Sequence, residues 1–399
     1  MAGTEGGVDL SGVDLSGIER CGIERSGIQR SATGIASGTT TQTRPDEPGD
    51  AASAGAPVPS RRAWHAGAAT GIGSLPGDSA DEATRTVAGE LPELPHLVEL
   101  PDRGVGADMA GRTAALLVEI YSEVVPSGWR ITRRPGRDIQ RAKDFLQWDL
   151  DAAQQHYEGA DWVKTQVCGP WTLAALLELP NGHRALTDSG AVDDLAVSLA
   201  EGVLAHVDEL ARRLPGTGVV VQLDEPLLPS VLAGNLPTAS GFGTVRAVAG
   251  QRAAEVLTVV TETLAEHPRI AHCCHPAAPL GLLRAAGFDA LSVDLTEVGS
   301  AAARLDPIGE AIEAGLLLLA GTVSGVSGAT SGPRTPLQTW AAPILQTWDR
   351  LGFNRSRLPE VVVPTPTCGL AGASADWAVR AMQICRELAQ ALQDLPEGW

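Results

Sequence analysis

From about residue 63 to residue 395, short apolar runs alternate with longer amphipathic stretches. The runs are rich in Val, Leu, Ile and Ala and are bounded by Gly, Pro or Asp, a pattern that predicts buried strands. Candidate strands fall at residues 68–74, 95–101, 161–168, 218–224, 269–274, 289–294, 315–322 and 360–365. The stretches between them carry apolar residues at helical spacing. Helices are predicted over 189–214, 245–267, 276–286 and 374–392, and the stretch 107–158 is predicted to hold more than one. Strand then helix, eight times over, is the rhythm of a (β/α)8 TIM barrel. A doubly wound open sheet is the competing architecture. Against it, Gly71-Ile72-Gly73-Ser74 continues with Leu75-Pro76 and lacks the third glycine of a dinucleotide-binding turn.

The start of the chain has a different texture. Gly7-Val8-Asp9-Leu10-Ser11 recurs as Gly12-Val13-Asp14-Leu15-Ser16, and looser copies begin at Gly17, Gly22 and Gly27. A Ser/Thr/Ala/Pro/Gly stretch follows to about Arg62. Such a segment has too little bulky apolar surface to offset the entropy of ordering. Residues 1–62 are therefore expected to form a low-complexity disordered tail with a pentapeptide repeat, and residues 63–399 the barrel. A small repeat solenoid is the alternative for the tail.

Composition narrows the function. With 30 basic against 48 acidic residues the formal net charge is −18, which argues against duplex nucleic acid and anionic lipid as partners. No uninterrupted apolar window is long enough to span a membrane. Six cysteines among 399 residues are too few for a disulfide scaffold. No basic segment followed by an apolar core opens the chain, so the cytoplasm is the expected location. Lys143 and Lys164 are the only lysines, a skew that reads as coding bias and carries no functional signal at this level.

A barrel places its chemistry at the C-terminal ends of its strands and in the loops that follow. The unusual residues fall there: Gly73-Ser74, Cys168-Gly169-Pro170, Asp224-Glu225-Pro226, His272-Cys273-Cys274-His275, Asp294 with Glu297 beyond it, and Thr367-Cys368-Gly369-Leu370. Side chains two apart on a strand share a face, so His272 can converge with Cys274, and Cys273 with His275 on the other side. One pair can hold a metal; a purely structural role for buried cysteines, or a structural zinc without paired C-x-x-C spacing, are the alternatives. A site of His272, Cys274, Cys368 and one carboxylate carries −3 against the +2 of Zn2+. Such an ion is a poor activator of water and is better suited to lowering the pKa of a thiol while leaving its sulfur nucleophilic. Asp224 can anchor a substrate ammonium, or merely start a helix ahead of Pro226. Ser74 and its neighbouring amides can hold a carboxylate. Cys21 and Cys385 show no link to the chemistry.

Taken together, Ile72-Gly73-Ser74, Gln222-Leu223-Asp224-Glu225-Pro226, His272-x-Cys274, Leu291-Ser292-Val293-Asp294 and Thr367-Cys368-Gly369-Leu370 resemble, in order and spacing, the catalytic half of cobalamin-independent methionine synthase. Cys168-Gly169-Pro170-Trp171-Thr172 is similar to that family's Gly-Pro-x-Thr strand end. The resemblance covers roughly residues 66–395. It implies a zinc ion held by His272, Cys274, Asp294 and Cys368, with Glu297 as the fallback carboxylate. The family uses Glu where this chain has Asp294, which is shorter by one methylene. The resemblance also implies homocysteine as substrate, its sulfur on the metal, its carboxylate near Ile72 and Ser74 and its ammonium at Asp224. The product would be methionine, with 5-methyltetrahydrofolate or another compound as methyl donor.

Two departures bear on the donor. The full-length family enzyme has a second, N-terminal barrel that helps to bind the folate tail, whereas here only the low-complexity segment precedes the catalytic unit. The family also has a His after the seventh strand that assists the leaving nitrogen, and this chain reads Gly321-Thr322-Val323-Ser324-Gly325-Val326-Ser327-Gly328. A folate amine is a poor leaving group without protonation. A methyl-corrinoid protein or a more reactive donor needs no such acid. Transfer from a methylated corrinoid to another small thiol, and a catalytically silent barrel, are thus the alternative functions; the related uroporphyrinogen decarboxylases lack the zinc ligands.

Overall fold

The computed structural model describes residues 64–299, 301–326 and 335–399, so the repeat-bearing tail lies outside the described residues. The chain opens with α1 (Ala80–Glu90) and α2 (Met109–Ala114), then the strands β1 (Tyr121–Val125) and β2 (Gly128–Thr132) and the helix α3 (Arg137–His156). There follow β3 (Trp162–Cys168), α4 (Pro170–Leu176), β4 (Leu177–Glu178), α5 (Ser189–Arg213), β5 (Gly218–Asp224), α6 (Leu228–Ala233) and α7 (Gly250–Thr263). The last part comprises β6 (Arg269–His272), α8 (Leu280–Ala285), β7 (Ala290–Asp294), α9 (Leu295–Val298), α10 (Ala302–Glu313), β8 (Leu317–Val323), α11 (Leu337–Leu351), α12 (Leu358–Val361), β9 (Val362–Pro366) and α13 (Ala375–Gln393).

Six strands form one parallel sheet in the order β3-β5-β6-β7-β8-β9, curled into a half-barrel. Each is the strand expected from its apolar run, within a residue or two at either end. The first two expected strands are not regular. Residues 68–75 and 95–99 are extended segments joined by isolated bridges, Ser74 to Glu99 and His96 to Lys164. Their backbones still carry hydrogen bonds: Leu75 N to Glu99 O at 2.9 Å, Leu97 N to Lys164 O at 2.8 Å and Thr70 N to Pro364 O at 3.4 Å. Pro95 has no amide proton and Gly73 sits at φ +155°, so neither segment sustains a full ladder. The stretch 107–158 does hold two helices, α2 and α3, but between them runs the hairpin β1–β2, which pairs onward with β4. That hairpin was not expected.

The two faces of the curled sheet differ. Val219, Val221, Leu223, Leu291, Val293, Leu318, Ala320 and Val362 face the helices in one large apolar core. The opposite face carries a small apolar floor of Val220, Ile270, Ala290, Leu317, Leu319 and Val363, closed by Trp64, Ala68 and Leu94. By strand alternation Lys164, Gln166, Gln222, Asp224, His272 and Ser292 lie on this same inner face, above the floor. Among the described residues no helix is long and apolar enough to cross a membrane.

Candidate active site

Register alone brings four inner side chains into one row: Cys168 pairs with Asp224, Asp224 with His272 and His272 with Ser292. His272 is buried, and its Nδ1 lies 2.9 Å from Ser292 Oγ, which turns Nε2 away from the sheet. There it meets Cys368 Sγ at 3.9 Å, and Cys368 Sγ meets Cys274 Sγ at 3.4 Å. Nε2 and the two sulfurs are donor atoms that all lie within 4.8 Å of one another, and all three residues are buried. Neither sulfur is in a disulfide. Of the two pairs in the His272–His275 run, the structure brings together His272 and Cys274. Cys273 packs in the core on the helix side, where burial pushes its thiol well above the ordinary range. His275 is half-buried and accepts the Ala277 amide at Nδ1.

Asp294 is not part of that trio. It is buried at the end of β7 and caps α9, accepting the Thr296 amide at 2.9 Å and the Thr296 hydroxyl at 2.5 Å through Oδ1. The short helix starts directly after the strand, and a capping Asp satisfies its first free amide. Glu297 lies within α9, half-buried.

Ile72 and Ser74 stand where the sequence places them, at the end of the first extended segment. The Ile72 carbonyl points to the inner face of the sheet and accepts from Lys164 Nζ at 3.0 Å and Gln222 Nε2 at 2.9 Å. Ser74 is buried, and its carbonyl accepts the Leu370 amide at 2.8 Å, tying the first segment to the loop that carries Cys368. Gly369 makes this contact possible, because a Cβ there would meet Ser74 Oγ at 2.0 Å.

Asp224 is buried, with Oδ1 accepting from Gln222 Nε2 at 2.7 Å. Burial pushes its carboxyl up to about 7, opposed by the charges of His272 and Lys164. Its neighbour Glu225 has a different task. It accepts the Trp171 amide at 2.9 Å, the Thr172 amide at 2.8 Å and the Thr172 hydroxyl at 2.7 Å, so it holds the start of α4. Gly169 lets that carboxylate approach, since a Cβ would lie 2.4 Å from Glu225 Oε1. Glu225 thus serves the start of α4, while Asp224 faces the interior.

Several site residues were not foreseen. Lys164 is fully buried beneath Asp224, and burial lowers its pKa to about 7 against the pull of Asp224 and Glu99. Glu99 is buried beside Arg112 at 3.9 Å, while Arg112 and Arg103 both bind the buried Asp149. The available signal was Lys164-x-Gln166, a polar pair at strand spacing inside an apolar run.

A family described as cobalamin-independent synthase, catalytic domain, matches residues 67–391. The chain belongs to this family. It is an enzyme of the cobalamin-independent methionine synthase type. Among solved structures it is similar to a B12-independent methionine synthase from Shewanella sp. W3-18-1 in complex with selenomethionine, with 12% identity, 82% of this chain and 98% of that chain covered, and a TM-score of 0.54. At that identity the likeness concerns the fold. No curated protein sequence matches the chain at a significant level.

Proposed function

We propose that this synthase-family chain is a zinc-dependent methyltransferase that moves a methyl group onto the thiol of homocysteine to form methionine. We propose further that the segments 68–75 and 95–99 complete an eight-stranded barrel, and that residues 63–399 act as one catalytic unit. The observation that carries the reading is the buried convergence of His272, Cys274 and Cys368.

The donor set fits the ion. Cys274 and Cys368, 3.4 Å apart, with His272 beside them would hold zinc, since two thiolates and an imidazole are a donor set that this ion accepts. Ser292 fixes the His272 ring with Nε2 toward the thiols, the arrangement a histidine ligand requires. When bound, zinc acidifies the substrate thiol and orders its sulfur. Asp294, the carboxylate implied by the family resemblance, holds Thr296 through Oδ1 and lies outside the trio; the substrate sulfur would be the next donor.

This chain's own residues supply the rest. Asp224 receives the substrate ammonium, with its carboxylate already oriented by Gln222. The amides around Ile72 and Ser74 receive the carboxylate. Burial of the site excludes water, so the thiolate meets the methyl donor without a competing nucleophile. The sulfur forms a bond to the methyl carbon while the bond from that carbon to the donor breaks, and its electron pair stays with the leaving atom. A folate nitrogen needs a proton at that moment. The alternatives are 5-methyltetrahydrofolate and a donor, such as a methyl-corrinoid, that leaves without one.

The test combines zinc quantification with homocysteine methylation by several donors, and with the Asp224→Ala variant. Expected are about one zinc per chain, methionine formation with at least one donor, and an apparent KM for homocysteine that rises in the variant while that of a thiol lacking the ammonium hardly changes. A metal-free protein that leaves homocysteine unmethylated with every donor overturns the proposal.

A further inference from the structure

Lys164 is one of two lysines in the chain, and it is wholly buried on the inner face of the sheet. An ammonium only donates, and it has three protons to place. They go to Gln222 Oε1 at 2.8 Å, Ile72 O at 3.0 Å and Gln166 Oε1 at 3.3 Å. Each glutamine must therefore present its oxygen to Lys164 and send its nitrogen elsewhere. Gln166 Nε2 goes to Leu97 O at 2.7 Å. Gln222 Nε2 goes to Ile72 O at 2.9 Å and Asp224 Oδ1 at 2.7 Å. If the Gln222 amide flipped, its nitrogen would face the ammonium and its oxygen would face the carboxylate of Asp224. Both contacts would turn repulsive.

We infer that Lys164 is a positioning residue for substrate recognition: it fixes the Gln222 amide so that a donor holds Asp224 Oδ1, and thereby aims this carboxylate at the ammonium of the bound thiol amino acid. The inference rests on the reading of Asp224 as the ammonium site. Lys164 reaches the substrate only through Gln222 and Asp224, since its three protons are spent within the network. The same ammonium holds the carbonyl of Ile72, so one side chain ties the first extended segment to β5 at the depth where the substrate's amino-acid end would rest.

A lysine that only filled the barrel interior would affect every ligand alike, whereas a lysine acting through Asp224 affects ligands that carry an ammonium. The experiment is calorimetric titration of the zinc-loaded full-length protein with homocysteine and with 4-mercaptobutyrate, which is homocysteine without its amino group. Wild type is expected to bind homocysteine more tightly. In Lys164→Met the homocysteine Kd should rise about tenfold or more, the range of a buried hydrogen bond to a charged group, while the 4-mercaptobutyrate Kd stays within about twofold. Gln222→Met breaks the same link from its other end and should show the same selective loss; it carries the test if Lys164→Met does not fold. The double variant should be no weaker than the weaker single one, because the two act in series. Equal losses for both thiols, or none for either, overturn the inference while leaving Asp224 as the ammonium site. A wild type that does not distinguish the two thiols overturns the ammonium site itself, and the inference with it.

Discussion

The sulfurs of Cys274 and Cys368 lie 3.4 Å apart although 94 residues separate them in the chain. Cys274 follows β6 and Cys368 follows β9, and two strands stand between those in the sheet. Only the curl of the sheet closes that gap. The pair is buried and not joined as a disulfide, and His272 stands at 3.9 Å from the second sulfur. Two thiols and an imidazole this close, without a disulfide, form a ready set of donors for a soft divalent ion.

Removal of either thiol should therefore release the metal. Cys274→Ser and Cys368→Ser are expected to weaken zinc binding by more than about 100-fold, beyond the effect typical of residues that only support a ligand. Cys273→Ala, altered on the helix side of the strand, should keep its zinc. Metal analysis of the purified variants after dialysis against a weak chelator checks this. Zinc loss in Cys273→Ala with retention in Cys274→Ala would reverse the register of the strand end.

Ser292 supports the site from the neighbouring strand. Its hydroxyl, 2.9 Å from His272 Nδ1, fixes the ring. Ser292→Ala should lower zinc affinity about 10- to 100-fold without abolishing it. Competition with a chromophoric chelator measures the change. An unaltered affinity would mean that packing alone orients the imidazole.

Asp294 separates two roles. As the cap of α9 it contributes about 1 kcal/mol to stability. Asp294→Ala should lower stability by that amount in urea melts while zinc content stays close to that of wild type. Zinc loss as complete as in Cys368→Ser would make Asp294 a ligand.

Glu225 bears on the shape of the site. Its carboxylate takes two amides and a hydroxyl at the start of α4, all within 2.9 Å. Glu225→Ala leaves buried donors without partners and should cost about 2–4 kcal/mol, read as a lower urea midpoint. Thr172→Val removes one of the three bonds and should cost less.

Much of this was legible before any coordinates. The six regular strands of the sheet are marked by apolar runs ending in Gly, Pro, Cys, His or Asp, and the reactive residues cluster at those ends. His272 and Cys274 could be paired by strand alternation alone. The distance to Cys368 could not, because it depends on sheet curvature, which no local pattern encodes. The hairpin β1–β2 did leave a signal: Pro126-Ser127, just ahead of Gly128, is a turn between Tyr121–Val125 and Gly128–Thr132, masked by the helical texture on both sides. In the sequence Lys164 stands out through the scarcity of lysine, which reads as coding bias. Its buried partners are Gln166 on the same strand and Gln222 and Ile72 on neighbouring segments, and the latter two a single strand does not reveal. Asp294 is implied as a ligand only by its position in the family pattern; its Oδ1 caps the helix that begins beside it, a bond the sequence also allows.

The last prediction concerns acid. His206 lies on α5, buried against β3, with Nε2 at 3.1 Å from Thr165 Oγ1. Burial, and then the nearby charge of Arg112, lower its pKa from 6.5 to about 4. His96 is lowered to about 3, by burial first and by Lys164 second. Both are neutral in the native state at pH values where the unfolded chain has taken up a proton. Their contribution to stability is full above pH 6.5 and is lost as the pH falls toward the native values. Each histidine then adds up to about 1.4 kcal/mol per pH unit to the slope of stability against pH. His206→Gln keeps a partner for Thr165 and removes one of these titrations. Between pH 6 and pH 4.5 its urea-unfolding free energy should fall less steeply than that of wild type by up to that amount. Equal slopes would show that His206 already carries its proton in the folded protein, which its burial beside Arg112 argues against.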